Sequence, residues 1–299
     1  MNILVVAKKT NLELHGEKIS KKIGDSSPRR EYMETLLVEH KEHYETLEEL
    51  FRLLKEAKIS FTKVNRGLFW PDLSPISAVI TVGGDGTLLE ASHHIESPEA
   101  LLLGIRSSSR SVGRLCHGSI NDLPEVIEQI LKGNSPSVLV SRLRAKISFA
   151  QTGGSMITEP VLNDLLYANS SPPATTRYRI QVGARSEEQK SSGIWVSTAC
   201  GSSAAIHAAG GERYPLEKRR FQFFVRELFD DPSSQKKTIR KGFFEPESEA
   251  FTIENKSEHA LCAMDGPHGA IHLSLGDSIE FFRGPDLKLA LPTMEKTQR

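Results

Sequence analysis

The turn Gly83-Gly84-Asp85-Gly86-Thr87 separates an apolar run from a segment with helical spacing, and this arrangement restricts what the chain can fold into. Residues 76–82 are mostly apolar and β-branched, which is typical of a strand buried on both faces of a parallel sheet. Residues 88–95 carry their apolar side chains at the spacing of a helix. A glycine-rich turn between such a strand and a helix predicts an open α/β sheet that binds an anion, phosphate above all, at the helix amides.

The other patterns in the first third of the chain agree with an α/β domain. Residues 46–54 combine apolar positions at i, i+3, i+4 and i+7 with a capping box, which predicts a helix beginning at Thr46. The polar stretch 8–30 has neither helical nor strand periodicity and predicts a loop. Further strands are predicted at residues 2–7, 59–64 and 101–105.

The pattern changes beyond Pro136, where apolar and polar residues alternate in short segments separated by glycine and proline. This alternation predicts antiparallel strands with one face exposed to water. The predicted fold is therefore a Rossmann-like α/β N-terminal domain with a parallel sheet, followed by a β-rich C-terminal domain of the antiparallel, sandwich-like type. We expect the first domain at residues 1–125, with residues 285–299 as a candidate addition to it, and the second at residues 126–284.

Composition excludes several classes of function. The 299-residue chain carries 38 Lys and Arg against 38 Asp and Glu, so its net charge indicates neither nucleic acid nor an anionic membrane as a partner. Its three cysteines form no C-x-x-C pair, and no apolar segment approaches the roughly 20 residues that span a bilayer. We expect a cytoplasmic protein with reduced thiols, without a membrane segment, a transit peptide or a protein-bound metal ion.

Asp85 is the candidate catalytic base. Glycine accepts positive φ and lets backbone approach a ligand closely, so Gly83, Gly84 and Gly86 favour a phosphate-binding turn around this carboxylate. Because carboxyl groups are far more acidic than sugar hydroxyls, the aspartate would orient a hydroxyl and accept its proton late in a phosphoryl transfer. The Thr87 hydroxyl can donate to phosphate or simply cap the helix, and the turn alone leaves both interpretations open.

Three later segments are candidates for the rest of a binding site. Asn163-Asp164 can bind ribose hydroxyls or a base edge, although the pair by itself favours an ordinary Asx turn. Residues 192–211 are rich in small side chains and hydroxyls, which suit either close approach to a ligand or tight packing. Residues 264–266, Met-Asp-Gly, fit a plain turn.

Taken in this order, the segments resemble the NAD kinase family, which phosphorylates the 2′-hydroxyl of the adenosine ribose of NAD. The resemblance rests on the Gly83–Thr87 turn, on Asn163-Asp164 and on a Gly-x-x-x-Ser-Thr-x-x-Gly-Ser segment that begins at Gly193. It implies that Asp85 is the catalytic base. It implies dinucleotide binding by Asp85, Gly86, Asn163, Asp164, Ser203, Ala204 and His207, and phosphate or ATP binding by Gly83, Gly84, Gly86, Thr87 and Arg110.

Residues 104–116, 189–193 and 224–227 resemble the mitochondrial-type branch of that family, sometimes called NADH kinase. Arg110 lies in the first of these segments and can clamp donor phosphates with its forked guanidinium, or be a solvated surface charge. The chain also departs from the family pattern. Asp164 replaces the usual glutamate, Ser192 stands where many bacterial members have aspartate, and Ala205 removes a ring on which a base can stack.

The resemblance implies an ATP-dependent kinase that converts NAD or NADH to NADP(H), with Mg²⁺ carried by ATP and a homodimer or higher homo-oligomer as the assembly. Two alternatives stay open. A lipid kinase of the diacylglycerol or sphingosine type uses a similar glycine-rich string, but typically places Asn-Glu almost directly after it, where this chain has Leu88-Leu89-Glu90. A dinucleotide sensor that has lost turnover is suggested by Ser192 and Ala205.

Overall fold

The computed structural model describes residues 1–22, 27–68, 70, 76–110, 113–229, 238–266 and 269–291, and the side chains of all of these except residues 18–22 and 27–29. Contacts between Cα atoms divide the chain into two compact units: unit 1 is Met1–Val138 together with the chain from Lys288, and unit 2 is Leu139–Leu287. Residues 292–299 of the expected addition to the first domain lie outside the described residues. The domain bounds expected from sequence stay a prediction.

Unit 1 is built on a six-stranded sheet, sheet A. Its strands are β1 (Asn2–Ala7), β2 (Ser60–Asn65), β3 (Ala78–Gly83), β4 (Leu101–Arg106), β5 (Ser137–Val140) and β18 (Leu287–Ala290). Their order is β2-β1-β3-β4-β18-β5, and every pair from β2 to β18 is parallel. The apolar strand that precedes the glycine-rich turn is β3, which is buried along its whole length, as its sequence predicts.

Helices cover both faces of sheet A. They are α1 (Asn11–Lys22), α2 (Ser27–Glu56), α3 (Asp85–His93) and α4 (Leu123–Lys132), with a 3₁₀ turn at Ile120–Asp122. Leu50 of α2 and Val126 of α4 share one apolar core with Leu103 of β4. The neighbouring Gly104 points to the opposite face, where a Cβ would lie 2.8 Å from Leu88 of α3. No helix in the described ranges is both long enough and apolar enough to cross a membrane.

The prediction of a loop at residues 8–30 is wrong for the described part of that stretch, which contains α1 and the start of α2. The reason is a capping box at the start of α1. The Thr10 amide donates to Glu13 Oε2 at 2.7 Å, and the Glu13 amide donates to Thr10 Oγ1 at 3.3 Å. Tyr44 of α2 also donates to Glu13 Oε1 at 2.7 Å, so a polar helix is held by specific hydrogen bonds rather than by an apolar stripe.

The helix start predicted at Thr46 is also wrong, because α2 begins at Ser27 and continues through this position. Thr46 is buried within the helix, and its hydroxyl donates to the backbone oxygen of Glu42 at 2.8 Å instead of capping a new turn.

Unit 2 is a sandwich of two antiparallel sheets. Sheet B has the order β10-β9-β14-β17-β6-β7 and sheet C the order β13-β12-β11-β8-β15-β16, and every strand pair is antiparallel. The strands are β6 (Leu143–Ser148), β7 (Ser155–Ile157), β8 (Asp164–Asn169), β9 (Thr176–Val182), β10 (Arg185–Ser191), β11 (Gly193–Ser197), β12 (Phe221–Arg226), β13 (Lys241–Phe244), β14 (Phe251–Asn255), β15 (Ala260–Met264), β16 (Ile271–Leu273) and β17 (Ser278–Arg283). The predicted β-rich second half is confirmed.

The core of unit 2 consists of the inward-facing side chains of sheets B and C. Phe223 of β12 stacks on Phe251 of β14, with 5.0 Å between the ring centroids, and Tyr167 of β8 meets Tyr178 of β9 edge to face. Strand β8 lies between β11 and β15 in sheet C. Its first residue, Asp164, pairs with Ser197 at the end of β11, so the loops at this edge of the sheet come together.

Candidate active site

The glycine-rich turn of unit 1 connects β3 to α3 at the carboxyl edge of sheet A. Gly84 is the residue that precedes α3, and it has an extended backbone with φ −119° and ψ −171°. Its carbonyl oxygen accepts the first helical hydrogen bonds, from the Thr87 amide at 2.9 Å and the Leu88 amide at 3.4 Å. Gly84 has no side chain with which to cap α3, so the first turn of this helix has no N-cap hydrogen bond among the described residues, an arrangement that suits an anion.

The Asp85 carboxylate is held in place by the backbone that follows β4. Its Oδ2 accepts from the Arg114 amide at 3.1 Å, and its Oδ1 accepts from the Leu115 amide at 3.0 Å. Cys116 Sγ adds a weak bond to Oδ1 at 3.9 Å. The side chain is half-buried, and an ionised carboxylate has about four lone-pair sites, so these three bonds leave a site for a substrate proton. Burial and the nearby Asp85 charge raise the pKa of the Cys116 thiol to about 12, which keeps this neighbour neutral.

Gly83 and Thr87 pack directly against each other. A Cβ on Gly83 would lie 2.3 Å from Thr87 Oγ1, so any other residue at position 83 would displace the threonine. Thr87 is only 1% exposed, which shows that its side chain has a packing role. Its expected contact with phosphate stays a prediction.

Arg110 lies on the exposed surface after β4 and reaches α2. Its Nη1 donates to Thr35 Oγ1 at 3.1 Å, and its amide donates to Ser108 Oγ at 3.2 Å. The expected contact of Arg110 with donor phosphates also stays a prediction.

In unit 2, the structure brings the Asn163-Asp164 pair together with the Ser197–Gly201 segment. The Thr198 amide donates to the Asn163 oxygen at 2.9 Å, and the Thr198 hydroxyl donates to the Leu162 oxygen. Gly201 lies so close to this backbone that a Cβ would be 2.1 Å from the Asn163 oxygen. Gly201 is therefore required for packing around Asn163, whatever else this segment binds.

Asp265 fixes the same loop from the other side, a role that sequence reasoning missed. Its Oδ1 accepts from the amides of Asn163 at 2.7 Å and Asp164 at 3.0 Å, and its Oδ2 accepts from the Leu162 amide at 2.8 Å. Asp265 has a positive φ of 48°, a conformation that aspartate tolerates better than most residues. The turn at residues 264–266 thus holds three consecutive amides of the Asn163 loop through Asp265. An Asx turn at Asn163-Asp164 does not describe this loop.

Two polar groups of this loop have environments that suit a ligand. Asn163 Oδ1 is buried and accepts no hydrogen bond from any described residue, which leaves an acceptor for an external donor. Asp164 is 7% exposed, and burial together with the Asp265 charge raises the pKa of its carboxyl to about 7. The loop therefore presents one amide acceptor and one carboxyl group that titrates near neutral pH.

The remaining expected dinucleotide contacts lie on short helical turns after β11. Ser203 ends the 3₁₀ turn Cys200–Ser203, and Ala204 precedes the helix Ala205–Ala208. His207 is exposed, with Nδ1 3.3 Å from the Gly211 oxygen. The Ala204 amide donates to the Gly201 oxygen at 2.8 Å, which connects this turn to the Asn163 loop.

The buried Asp164 carboxyl predicts a pH-dependent stability. Its folded pKa is raised above the ordinary value of about 3.9, so between about pH 4 and pH 7 the folded state holds a proton that the unfolded state releases. The contribution of Asp164 to the free energy of unfolding should therefore fall as pH rises through this window, by up to about 1.4 kcal/mol per pH unit. Buried His43, whose pKa is lowered to about 4, contributes in the opposite direction between about pH 4 and pH 6.5. Urea unfolding of the wild type and of Asp164→Asn at several pH values measures the difference in slope.

Between pH 4 and pH 7 the wild type should lose stability relative to the Asp164→Asn variant as the pH rises, because the opposing contribution of His43 is the same in both proteins. Glu258→Gln removes an exposed carboxylate of the same unit and should follow the wild-type curve. Equal slopes in all three proteins would show that Asp164 does not hold a proton in the folded state.

Comparison with known proteins finds relatives that match most of this chain. No family model matches the chain. An NADH kinase of Arabidopsis thaliana is 30% identical over 269 residues, which cover 84% of this chain and 82% of that protein. The similarity therefore extends over most of both chains, including both units.

Two solved structures share the fold. A yeast NADH kinase crystallised with NADH superposes with a TM-score of 0.72 at 14% identity, covering 99% of this chain and 84% of the yeast chain. An NAD kinase from Archaeoglobus fulgidus in complex with ATP superposes with a TM-score of 0.66 at 16% identity, covering 99% and 95%. At these identities the match concerns the fold, an α/β unit followed by a β-rich unit.

Proposed function

Because this chain belongs to the NAD kinase family, we propose that it transfers the γ-phosphoryl group of ATP to the 2′-hydroxyl of the adenosine ribose of NAD or NADH. The observation that carries this proposal is the Asp85 carboxylate, oriented by the Arg114 and Leu115 amides beside a glycine-rich turn. Orientation by fixed backbone donors is what a weak base needs, since it acts mainly by aligning the attacking hydroxyl.

Asp85 serves as the base in this proposal. Its remaining lone pairs accept the hydrogen bond of the 2′-hydroxyl and then the proton, as the bond between the ribose oxygen and phosphorus forms and the bond to ADP breaks. Gly83, Gly84, Gly86 and Thr87 form the turn that holds the transferred phosphate, and Arg110 contributes a cation from the loop after β4. Magnesium enters as part of the ATP substrate and offsets its charge.

Unit 2 supplies the recognition of the dinucleotide. The buried Asn163 Oδ1 accepts from a donor on the base or ribose, which supplies the partner that it lacks among the described residues. Ionised Asp164 accepts from ribose hydroxyls. Ser203, Ala204 and His207 contact the dinucleotide along the turn that follows β11, and Gly86 contributes from the catalytic turn.

We also infer where the enzyme is located, how it assembles and how its two domains divide the binding of the substrates. We infer a cytoplasmic location, which the three free cysteines fit, and a homodimer or higher homo-oligomer, which the resemblance to the family supports. We retain residues 1–125 as the proposed phosphate-binding domain and residues 126–284 as the proposed dinucleotide-binding domain.

Incubation of the purified protein with radiolabelled ATP and one acceptor at a time tests the reaction. NAD and NADH should acquire label and give NADP or NADPH, detected with an NADP-specific dehydrogenase, whereas diacylglycerol and sphingosine should stay unlabelled. Label in a lipid alone would establish the lipid-kinase alternative. Tight binding of NAD(H) without product, with ATP or polyphosphate as donor, would establish a sensor.

A further inference from the structure

Arg66, which has no role in the reaction described above, lies beside the glycine-rich turn. We propose that Arg66 binds the phosphates of the donor nucleotide and that Glu90 is its positioning residue. This inference rests on the proposed kinase activity and adds a specific cation to its donor site.

The position of Arg66 follows from the order of sheet A. Arg66 comes directly after β2, and its amide donates to the oxygen of Ala7, the last residue of β1, at 2.8 Å. Strand β1 lies between β2 and β3, and all three are parallel. Arg66 therefore lies at the carboxyl edge of the sheet, where the turn after β3 also lies and where open α/β sheets bind ligands.

Glu90 holds one side of the guanidinium group. Its Oε2 accepts from Arg66 Nε at 2.5 Å, and its Oε1 accepts from the Gly67 amide at 2.6 Å. The two side chains are 27% and 25% exposed, so the pair is largely shielded from water. Because Glu90 belongs to α3, the helix that begins with the glycine-rich turn, this contact fixes Arg66 relative to the turn itself.

The terminal nitrogens of Arg66 point at Gly86. A Cβ on Gly86 would lie 3.4 Å from Nη1 and 3.8 Å from Nη2, and Gly86 itself is exposed. Neither terminal nitrogen donates a hydrogen bond within the described ranges, whereas Nε does. Two donors of a planar fork are thus available beside bare backbone, and this geometry matches two oxygens of a phosphate group.

The negative charge of the glycine-rich turn explains why a cation beside it would favour the binding of phosphate. The same turn carries the Asp85 carboxylate, which repels the polyphosphate chain of a donor nucleotide. A cation held beside Gly86 offsets that repulsion, and its pairing with Glu90 reduces the rotamer entropy lost when phosphate binds. Glycine at position 86 keeps the space between the fork and the backbone open to the phosphate oxygens.

Steady-state kinetics of Arg66→Ala, Arg66→Lys and Glu90→Gln test the inference. Arg66→Ala should raise the KM for ATP about tenfold or more, while the KM for NAD(H) changes less than about twofold. Arg66→Lys should lie between the wild type and Arg66→Ala, because lysine keeps the charge and loses the fork. Glu90→Gln should raise the KM for ATP by a smaller factor.

Arg52→Ala is the matched control, since Arg52 also pairs with glutamates, Glu49 and Glu56, but on the exposed side of α2. It should leave both KM values unchanged. A fall in the melting temperature of Arg66→Ala with an unchanged KM for ATP would overturn the inference and make the pair purely structural. Equal increases in both KM values would also overturn it.

Calorimetric titration with ATP and with inorganic triphosphate separates this inference from the proposed activity. If the wild type produces no NADP(H), the proposed function fails, but binding of triphosphate can still be compared. Weaker binding by Arg66→Ala than by Arg52→Ala would support the assignment of Arg66, and equal binding by the two variants would overturn it.

Discussion

Asp85→Asn is expected to lower the rate of NADP(H) formation by a factor of about 10²–10⁴, the usual contribution of a general acid or base. Asparagine cannot take up the proton of the 2′-hydroxyl. It also has a single acceptor oxygen, so one of the Arg114 and Leu115 amides loses its partner. The measurement is kcat in the coupled NADP(H) assay, together with the free energy of unfolding of the same sample.

The matched control for this variant is Asp277→Asn. The Asp277 carboxylate is bound in the same way, accepting from the amides of Ala150 at 2.9 Å and Ser274 at 2.8 Å. Both variants should lose a similar amount of stability, about 1–3 kcal/mol, but only Asp85→Asn should lose turnover. Equal activity of the two variants would show that Asp85 is a structural residue that holds the loop after β4.

Gly201→Ala should strongly destabilise unit 2. The new Cβ would lie 2.1 Å from the Asn163 oxygen and 2.6 Å from Ser197 Oγ, and a backbone oxygen cannot move without shifting β8 and β11. Overpacking of this kind costs about 3 kcal/mol or more in the free energy of unfolding. Urea unfolding measures the loss, and dinucleotide titration should show weaker binding, because the displaced residue is Asn163.

Gly154→Ala is the control for the methyl group itself. Among the described residues, chain neighbours aside, its Cβ would approach only Thr152 Oγ1, at 3.4 Å, so the stability of this variant should stay within about 0.5 kcal/mol of the wild type. If Gly201→Ala were as stable as this control, the close packing of residues 197–201 against the Asn163 loop would be wrong.

The main features of the fold were predictable because their signals are local. Strand β3, the turn and α3 follow one another within 16 residues, 78–93, and the alternation along β6, β9 and β17 marks half-buried strands directly. The missed helix α1 had a local signal too, since Thr10 and Glu13 have capping-box spacing. That signal alone did not predict the helix, because the segment is polar and lacks an apolar stripe. What attaches α1 to α2 is the Tyr44 hydrogen bond, a tertiary contact that the sequence does not show.

The candidate site was predictable in part. The residues of the Gly83–Thr87 turn are recognisable as a string, but the contacts that support them join residues far apart along the chain. Asp265 binds amides 101–103 residues earlier, and Asp85 binds amides 29 and 30 residues later. Nothing in a single sequence shows which distant backbone an aspartate will reach.

The sequence also does not show why a given position requires a small residue. Gly201 was compatible with ligand approach or with packing, and the Asn163 oxygen 2.1 Å from its Cβ position shows that packing alone requires it. In the sequence, Arg66 is simply a cation that follows a strand. Only the order of sheet A shows that it lies beside Gly86. In both cases the missing information was the identity of the neighbour, which only the tertiary structure supplies.

The position of the transferred phosphate tests the central claim most directly. After reaction of the purified wild-type protein with ATP and NADH, ³¹P NMR of the isolated dinucleotide should show one new phosphomonoester, coupled to the 2′ proton of the adenosine ribose and formed in equal amount to ADP. A phosphomonoester at another position, or ADP formed without any phosphorylated dinucleotide, would contradict the proposed reaction.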